Sequence, residues 1–208
     1  MTIKRGDAWG DLVALPDGVP VAADDATLAA ILDDSTNDVA GVVVTGGDLA
    51  RTMGRIERPA PRPGDEVRSF PIDLVDVRLD DGARHPAVAH VIAHRRWLGG
   101  GPWRGRVVAA MNAEFVGPCD VAPRGHPNDG RIEIFDVAAT MSWRDRWQAW
   151  RRLPAGGHLP HPDIATRAVR ATTLEFDRPL AVAIDGASAG SASRIELSVR
   201  RDAGIVYL

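Results

Sequence analysis

Several residue types are scarce in this 208-residue chain, and each scarcity excludes a kind of chemistry. Lysine occurs only at Lys4, so 24 of the 25 basic residues are arginines. The chain therefore lacks the lysine of a Walker-type phosphate loop, and lysine Schiff-base chemistry is not expected. The single cysteine, Cys119, excludes an internal disulfide and fits a reducing compartment.

Long apolar runs and an excess of basic charge are also missing. No run approaches the ~18–20 apolar residues that span a bilayer, and residues 1–7 lack the apolar stretch of a signal peptide. The net charge of −3 gives no basic field for nucleic acid. We therefore expect a cytoplasmic protein of one or two domains that does not bind nucleic acid.

The first quarter of the chain follows an α/β pattern. Leu28, Ile31 and Leu32 recur at helical spacing, and residues 39–44 form the short apolar run of a buried parallel strand. Alternating prolines then exclude helix and central strand. We interpret residues 1–57 as a truncated α/β part, residues 58–66 as a linker and residues 67–208 as a second part.

The second part consists mostly of strands. The turn pair Asp81-Gly82 predicts a hairpin. Strands are predicted near 70–77, 87–93, 106–111, 131–137, 171–176, 180–184, 194–199 and 205–208. Ser142, with Asp145 three residues later, predicts the start of one helix. The expected fold class is α+β and β-rich, with a sandwich-like second domain.

Two strand-to-helix loops resemble the GGDGT and GTGNDFAR motifs of the diacylglycerol and sphingosine kinase family, which is related to NAD kinases. The loops lie in residues 19–28 and 42–51. The resemblance assigns nucleotide binding to Asp25, Thr27, Thr45, Gly46, Gly47 and Asp48. In the residues themselves a simpler alternative stays open: Asp24 or Asp25 is a helix N-cap, and Asp48 lies in the first turn of an ordinary helix.

The first loop departs from the family where the family has glycines. Ala23, Asp24 and Ala26 occupy those positions. Such a loop binds phosphate through bare N–H groups near the positive end of a helix dipole, and glycine lets the ligand approach them. Added Cβ atoms and the charge of Asp24 therefore predict weak ATP binding. In the second loop Gly47 replaces an Asn of the family.

Two segments of the β part also resemble the family. Residues 112–134 resemble its "N-G … aP-x-A-x-x-D-D-G-x-L-D-V" segment, which implies a structural Mg²⁺ on the Asp129 carboxylate and the backbone oxygens of His126 and Arg131. An ordinary turn before a strand is the alternative. Residues 181–187 resemble "v-x-v-D-G-E", where the Glu is the proposed proton acceptor. Ala187 stands there, and a methyl group cannot accept a proton.

Three tryptophans recur on one face of the predicted helix. Trp143, Trp147 and Trp150 are spaced by four and three residues, with arginines to one side. A stripe of this kind usually packs on a sheet, so we expect it to be core. The alternative is a peripheral contact with an anionic membrane surface.

These features favour a kinase-like protein that is catalytically impaired and binds a lipid, a phosphorylated small molecule or a protein partner. The alternative is an active ATP-dependent lipid kinase, in which Asp25 and Asp48 hold nucleotide-bound Mg²⁺. A third possibility is an unrelated β protein with accidental motif matches. An incomplete sheet edge around residues 19–44 predicts a homo-oligomer.

Overall fold

The computed structural model describes residues 9–34, 41–54, 59–80 and 82–208. Four sequence features fall outside these residues, wholly or in part: the N-terminal segment with Lys4, the first two residues of the apolar run 39–44, Arg58 of the linker, and Asp81 of the predicted hairpin turn. Among the described residues no helix is long and apolar enough to cross a membrane.

Strands outnumber helices in the described chain, which confirms the α+β, β-rich fold class. The helices are α1 (Asp25–Asp33), α2 (Asp48–Thr52) and α3 (Trp143–Arg152). The strands are β1 (Asp11–Ala14), β2 (Val21–Ala22), β3 (Val42–Val44), β4 (Glu66–Leu79), β5 (Ala83–Ala87), β6 (His90–His94), β7 (Val107–Met111), β8 (Phe115–Val116), β9 (Cys119–Asp120), β10 (Ile132–Val137), β11 (Ile164–Val169), β12 (Ala171–Ile184) and β13 (Ala187–Tyr207).

Eleven of these strands share one sheet. Its main order is β1-β4-β13-β12-β6-β7-β10-β11. β3 pairs with β13 and β2 pairs with β3, β5 pairs with β4, and β8 and β9 form a separate hairpin. Strands distant in this order contribute to one core, in which Val77 of β4 and Ile134 of β10 are both fully buried. The sheet therefore curls around that core. The sandwich-like domain stays a prediction.

The last strand joins the α/β part to the rest of the sheet. β3 runs parallel to the end of β13, with Val42 opposite Val206 and Val43 opposite Tyr207. A second core combines Leu28 of α1 with Ile72 of β4 and Val206 of β13. One sheet therefore contains strands from both sides of residues 58–66. The division of the chain into two parts at that linker stays a prediction.

Local differences from the predicted strands have identifiable causes. The strand predicted at 87–93 is split into β5 and β6, because the backbone N–H groups of Val88 and Ala89 bind a carboxylate. The strands predicted separately at 194–199 and 205–208 form one strand, β13. A shift of register between Arg200 and Gly204 absorbs the turn residues there as a bulge.

Candidate functional site

The two loops that resemble phosphate-binding motifs lie side by side, after the parallel strands β2 and β3. The Asp25 carboxylate, which is buried, faces the N-terminus of α2. Its Oδ2 accepts the N–H of Asp48 at 2.6 Å, and its Oδ1 accepts the N–H of Leu49 at 3.2 Å. The first free amides of α2 therefore bind a carboxylate of the chain itself.

Asp24 plays the same part for the other helix. Its side chain is the N-cap of α1 and accepts the N–H of Thr27 at 2.7 Å. The N-cap interpretation of this acidic pair is thus confirmed for Asp24, while Asp25 caps α2 across the loop. Both helix N-termini are neutralised from within the chain.

Glycines allow the two loops to approach each other closely. Gly47 has a φ of 99°, and a Cβ there would overlap the Asp25 carboxylate. A Cβ at Gly46 would lie 2.5 Å from the carbonyl oxygen of Ala23. Thr45 completes the contact, since its hydroxyl donates to the Ala22 carbonyl at 3.1 Å. The resemblance assigned Thr45, Gly46 and Gly47 to nucleotide binding. In the structure they lie where the second loop contacts the first.

Asp48 connects α2 to two other elements. Its Oδ2 lies 3.0 Å from Nε2 of His90 in β6, and its Oδ1 accepts the N–H of Gly117, between β8 and β9, at 2.8 Å. Burial alone would lower the pKa of His90, but the hydrogen bond to Asp48 and nearby carboxylates outweigh it and raise that pKa. Burial raises the pKa of Asp25 to about 6.

Asp185 is a third carboxylate beside this cluster; it is half-buried, and the sequence identified it only as a turn residue. It has a φ of 47° in the hairpin between β12 and β13. Its oxygens accept the N–H groups of Val88, Ala89 and His90 at 2.8–2.9 Å. Ala187, two residues on, is exposed and pairs with Ile184. With its carboxylate engaged by three amides, Asp185 is not positioned as a free base.

The residues assigned to magnesium form a turn before β10. Asp129 Oδ1 accepts the N–H of Arg131 at 2.8 Å, and the His126 carbonyl accepts the N–H of Asp129 at 3.3 Å. Across the described chain no group of three His, Cys, Asp or Glu side chains converges as a metal site. One carboxylate with backbone oxygens is a donor set that suits a Mg²⁺ keeping most of its water, and Mg²⁺ at this turn stays a prediction.

The buried carboxylate of Asp73 anchors this turn, and no sequence motif identified Asp73 as part of the site. It is 1% exposed; its Oδ2 accepts the N–H of Gly130 at 2.7 Å and its Oδ1 that of Asp202 at 2.9 Å. The available signal was an acid inside the apolar run of β4, because a buried carboxylate requires partners. Asp73 thereby ties β4, the turn and the bulge of β13 together.

An apolar cavity of about 260 Å³ lies beneath α3, and nothing in the sequence identified it. Phe135 and Val137 line it, whereas Ile132 and Ile134 of the same strand face the core, so it occupies the opposite face of the sheet. Its other lining residues are Ile92, Pro102, Trp103, Val107, Ala109, Val116, Cys119, Val121, Met141, Arg146, Ala149, Trp150, Leu153, His158 and Ile164.

The polar side chains of Arg146 and His158 border this cavity, and they differ in whether their polar atoms have hydrogen-bond partners. Arg146 donates to the carbonyls of Met141, Pro102, Gly105 and Ala138. Burial lowers the pKa of His158, while a hydrogen bond to the Val121 backbone opposes the shift. Nδ1 of His158 is buried and has no partner among the described residues. This atom is therefore an unpaired polar group within the wall of the cavity rather than on its accessible surface.

The cavity extends to the neighbourhood of Asp48. Val116 and Cys119 line it, and they lie on either side of the segment whose Gly117 N–H binds the Asp48 carboxylate. The apolar cavity and the Asp48 carboxylate therefore both adjoin the β8–β9 hairpin.

The expectation that the tryptophan stripe is core is wrong. Trp143, Trp147 and Trp150 are 68%, 44% and 52% exposed. Arg146 is buried on the inner side of α3 instead, because the helix rests on open backbone carbonyls that a guanidinium can satisfy.

No protein-family model and no curated protein matches the chain. Its fold is similar to that of three solved structures from Bacillus anthracis str. Sterne, described as diacylglycerol kinases, provisionally for two of them. Identities are 14%, 13% and 14%, and TM-scores 0.60, 0.56 and 0.54. The matches cover 89%, 82% and 87% of this chain and 75%, 70% and 70% of theirs. The chain thus has a lipid-kinase-like fold.

Proposed function

We propose that the protein binds a lipid-like amphiphile in the cavity beneath α3 and transfers phosphate from ATP poorly or not at all. The apolar cavity is the observation that carries the lipid-binding part. Its walls are almost entirely hydrocarbon, and a buried apolar chain gains about 0.8 kcal/mol per methylene group. A ligand with an acyl chain is the class that such walls favour.

His158 gives this ligand a polar end. With the ring neutral and its other nitrogen bonded to the Val121 backbone, Nδ1 is left as a hydrogen-bond acceptor. If the imidazole ring turns toward the cavity that His158 lines, a hydroxyl group on the amphiphile would satisfy Nδ1, whereas a purely hydrocarbon ligand would leave it unpaired. A mono- or diacylglycerol is a lipid that combines these two features.

The proposal of impaired catalysis rests on the carboxylates at the helix N-termini. Asp24 and Asp25 already accept the amides that would otherwise bind a triphosphate, and their charges would repel one. Ala187 supplies no proton acceptor where the family has one. A Mg²⁺ at Asp129, with the oxygens of His126 and Arg131, would stabilise the turn before β10 without nucleotide.

A binding experiment tests the lipid proposal. Calorimetric titration with dioctanoylglycerol should give saturable binding, and Ala109→Phe, which fills the cavity from β7, should abolish it. Ala171→Phe, at an exposed strand position, is the matched control. Val121→Phe serves as a second filling variant if Ala109→Phe lowers the thermal midpoint. Undiminished binding by both filled variants would refute the site.

The polar end is tested with a capped ligand. Dioctanoylglycerol with its hydroxyl methylated should bind about fivefold more weakly, since one hydrogen bond contributes about 1 kcal/mol. His158→Phe should remove this preference. A preference that survives in His158→Phe would mean that another group recognises the hydroxyl.

One observation favours an active lipid kinase as the second candidate: the lipid cavity and Asp48 share the β8–β9 hairpin. Labelled ATP, Mg²⁺ and dioctanoylglycerol distinguish the candidates. We expect product formation no faster than that of Asp48→Ala. Steady phospholipid formation above that control would establish the kinase.

A further inference from the structure

The tryptophans of this chain are concentrated on one surface. Five of the six lie within residues 97–103 and 143–150. The two segments touch: the rings of Trp103 and Trp150 are 5.9 Å apart, and Arg146 of α3 donates to the Pro102 carbonyl at 2.9 Å. We call this surface the tryptophan face; it consists of Trp97, Leu98, Trp103, Trp143, Trp147 and Trp150.

The apolar side chains of the tryptophan face are unusually open to solvent. Trp97 is 71% exposed and Leu98 is fully exposed, and the three tryptophans of α3 are exposed as well. An exposed apolar cluster of this size marks an interaction surface. Tryptophan in particular is enriched where protein meets the interfacial layer of a bilayer, because its ring is apolar and its N–H is polar.

The charge around this face is opposite to that of the whole protein. Residues 95–104 and 143–152 contain seven arginines and one aspartate, while the complete chain has a net charge of −3. All of these arginines except Arg146 are exposed. Arg144 and Arg151 lie over the rings of Trp143 and Trp147 at 5.6 and 4.7 Å. Guanidinium groups are thus held beside the exposed rings, where lipid phosphates would lie.

We infer that the tryptophan face docks the protein on an anionic lipid bilayer. A second copy of the chain fits this surface less well, since two such faces would bring their arginines together. Trp103 and Trp150 belong to the face and also line the apolar cavity. Docking therefore places the cavity against the bilayer from which a lipid would enter. The inference uses residues beyond the cavity and does not depend on the proposed lipid ligand.

Vesicle flotation with intrinsic fluorescence tests the inference. The protein should float with vesicles of phosphatidylcholine containing 30% phosphatidylglycerol, bind pure phosphatidylcholine at least tenfold more weakly, and show a blue-shifted tryptophan emission when bound. Raising NaCl from 0.05 to 0.5 M should release it, because the surface charge is screened.

Paired variants separate the two contributions. Trp143→Ser with Trp147→Ser should lower the partition coefficient about tenfold or more. Arg144→Glu with Arg151→Glu should lower it at least tenfold on anionic vesicles, at about fivefold for each basic residue lost. Leu12→Ser and Arg68→Glu, at exposed positions that face each other on β1 and β4 at the other end of the sheet order, should change it less than twofold.

Three results would overturn docking: equal binding to neutral and anionic vesicles, undiminished binding of the tryptophan variant, or a concentration-dependent emission shift without vesicles, which would indicate self-association. Ala109→Phe keeps this test separate from the lipid proposal. It should bind vesicles like the unaltered protein even where it no longer binds dioctanoylglycerol.

Discussion

Nε2 of His90 lies 3.0 Å from Oδ2 of Asp48, and this pair joins β6 to α2 in the interior of the protein. His90 is 4% exposed, and its pKa is raised despite burial, because Asp48 is hydrogen-bonded to it and Asp185 and Asp25 add negative charge. The pair links the α/β part to the rest of the sheet.

Removing the charge of Asp48 should lower the pKa of His90. In Asp48→Asn the carboxylate no longer favours the imidazolium, while burial still opposes it. Histidine NMR titration should show the His90 signal titrating at clearly lower pH in the variant. His126, whose pKa is lowered by burial, serves as an internal control, and an unchanged His90 titration would mean that the pair does not form.

Asp25 should make stability depend on pH. Its pKa is about 6 in the folded protein against an ordinary value of 3.8. The folded state therefore holds the proton more tightly, and stability from this group is complete below pH ~4 and lost as the pH rises through about 6, by up to about 3 kcal/mol. Urea unfolding at pH 4.5 and 7.5 measures this loss.

Asp25→Asn is the comparison for that measurement, because an amide does not titrate. The variant should lose less stability than the unaltered protein between the two pH values. Asp24 and Asp33, whose pKa values are lowered, act in the opposite direction in both proteins. An identical pH dependence in the two proteins would contradict the assignment to Asp25.

Gly47→Ala should destabilise the protein strongly. The substitution combines a φ of 99° with an overlap between the new Cβ and the Asp25 carboxylate, and we expect a loss of about 3 kcal/mol or more. Gly18→Ala is the matched control, since Gly18 also has a positive φ of 72° but a Cβ at that position would have nothing within 4 Å of it. Its cost should be about 1 kcal/mol. Chemical denaturation compares the two, and equal losses would mean that the loop contact is unimportant.

Arg146 should hold α3 on the protein. Arg146→Ala leaves four backbone carbonyls without their donor, so we expect a loss of about 2–4 kcal/mol. Hydrogen exchange should rise in residues 97–105 and 142–152 before it rises in the sheet. Arg144→Ala, at an exposed position on the same helix, should leave exchange unchanged. Equal exchange in both variants would refute this role.

The prediction of a homo-oligomer rests on the unpaired edge of β2. β2 pairs only with β3 among the described strands, and Val21 is 52% exposed. Light scattering over a range of concentrations should show a dimer, and Val21→Lys, which places a charge on the edge, should shift it toward monomer. A monomer at the highest concentration would refute the prediction.

The sequence predicted those elements whose signal is local. Ser142 caps α3 through the N–H of Asp145, and Leu28 lies on the buried side of α1, as the spacing indicated. The tryptophan stripe of α3 was wrongly expected to be core, because helical periodicity shows which residues share a face but not what that face packs against. Arg146 has the buried position, and it is recognised only once the carbonyls of the 97–105 segment are in place.

The site itself was predicted unevenly for a related reason. Asp25 and Asp48 were identified from motifs, yet their mutual contact depends on two loops more than twenty residues apart. Asp185 joins the same cluster from 95 or more residues away through hydrogen bonds to backbone groups, which leave no pattern in side-chain identity. No sequence motif marks the cavity, because it forms between α3, the 97–105 segment and the face of the sheet that carries Phe135.

The 21-residue strand β13 has a consequence for how the protein is made. Its first half closes one core, and its end, opposite Val42 and Val43, closes the other. During synthesis neither core can be completed until these late residues have left the ribosome. Contacts of such wide sequence separation slow folding, so newly made chains are expected to expose apolar strands for longer than a protein built from local pairings.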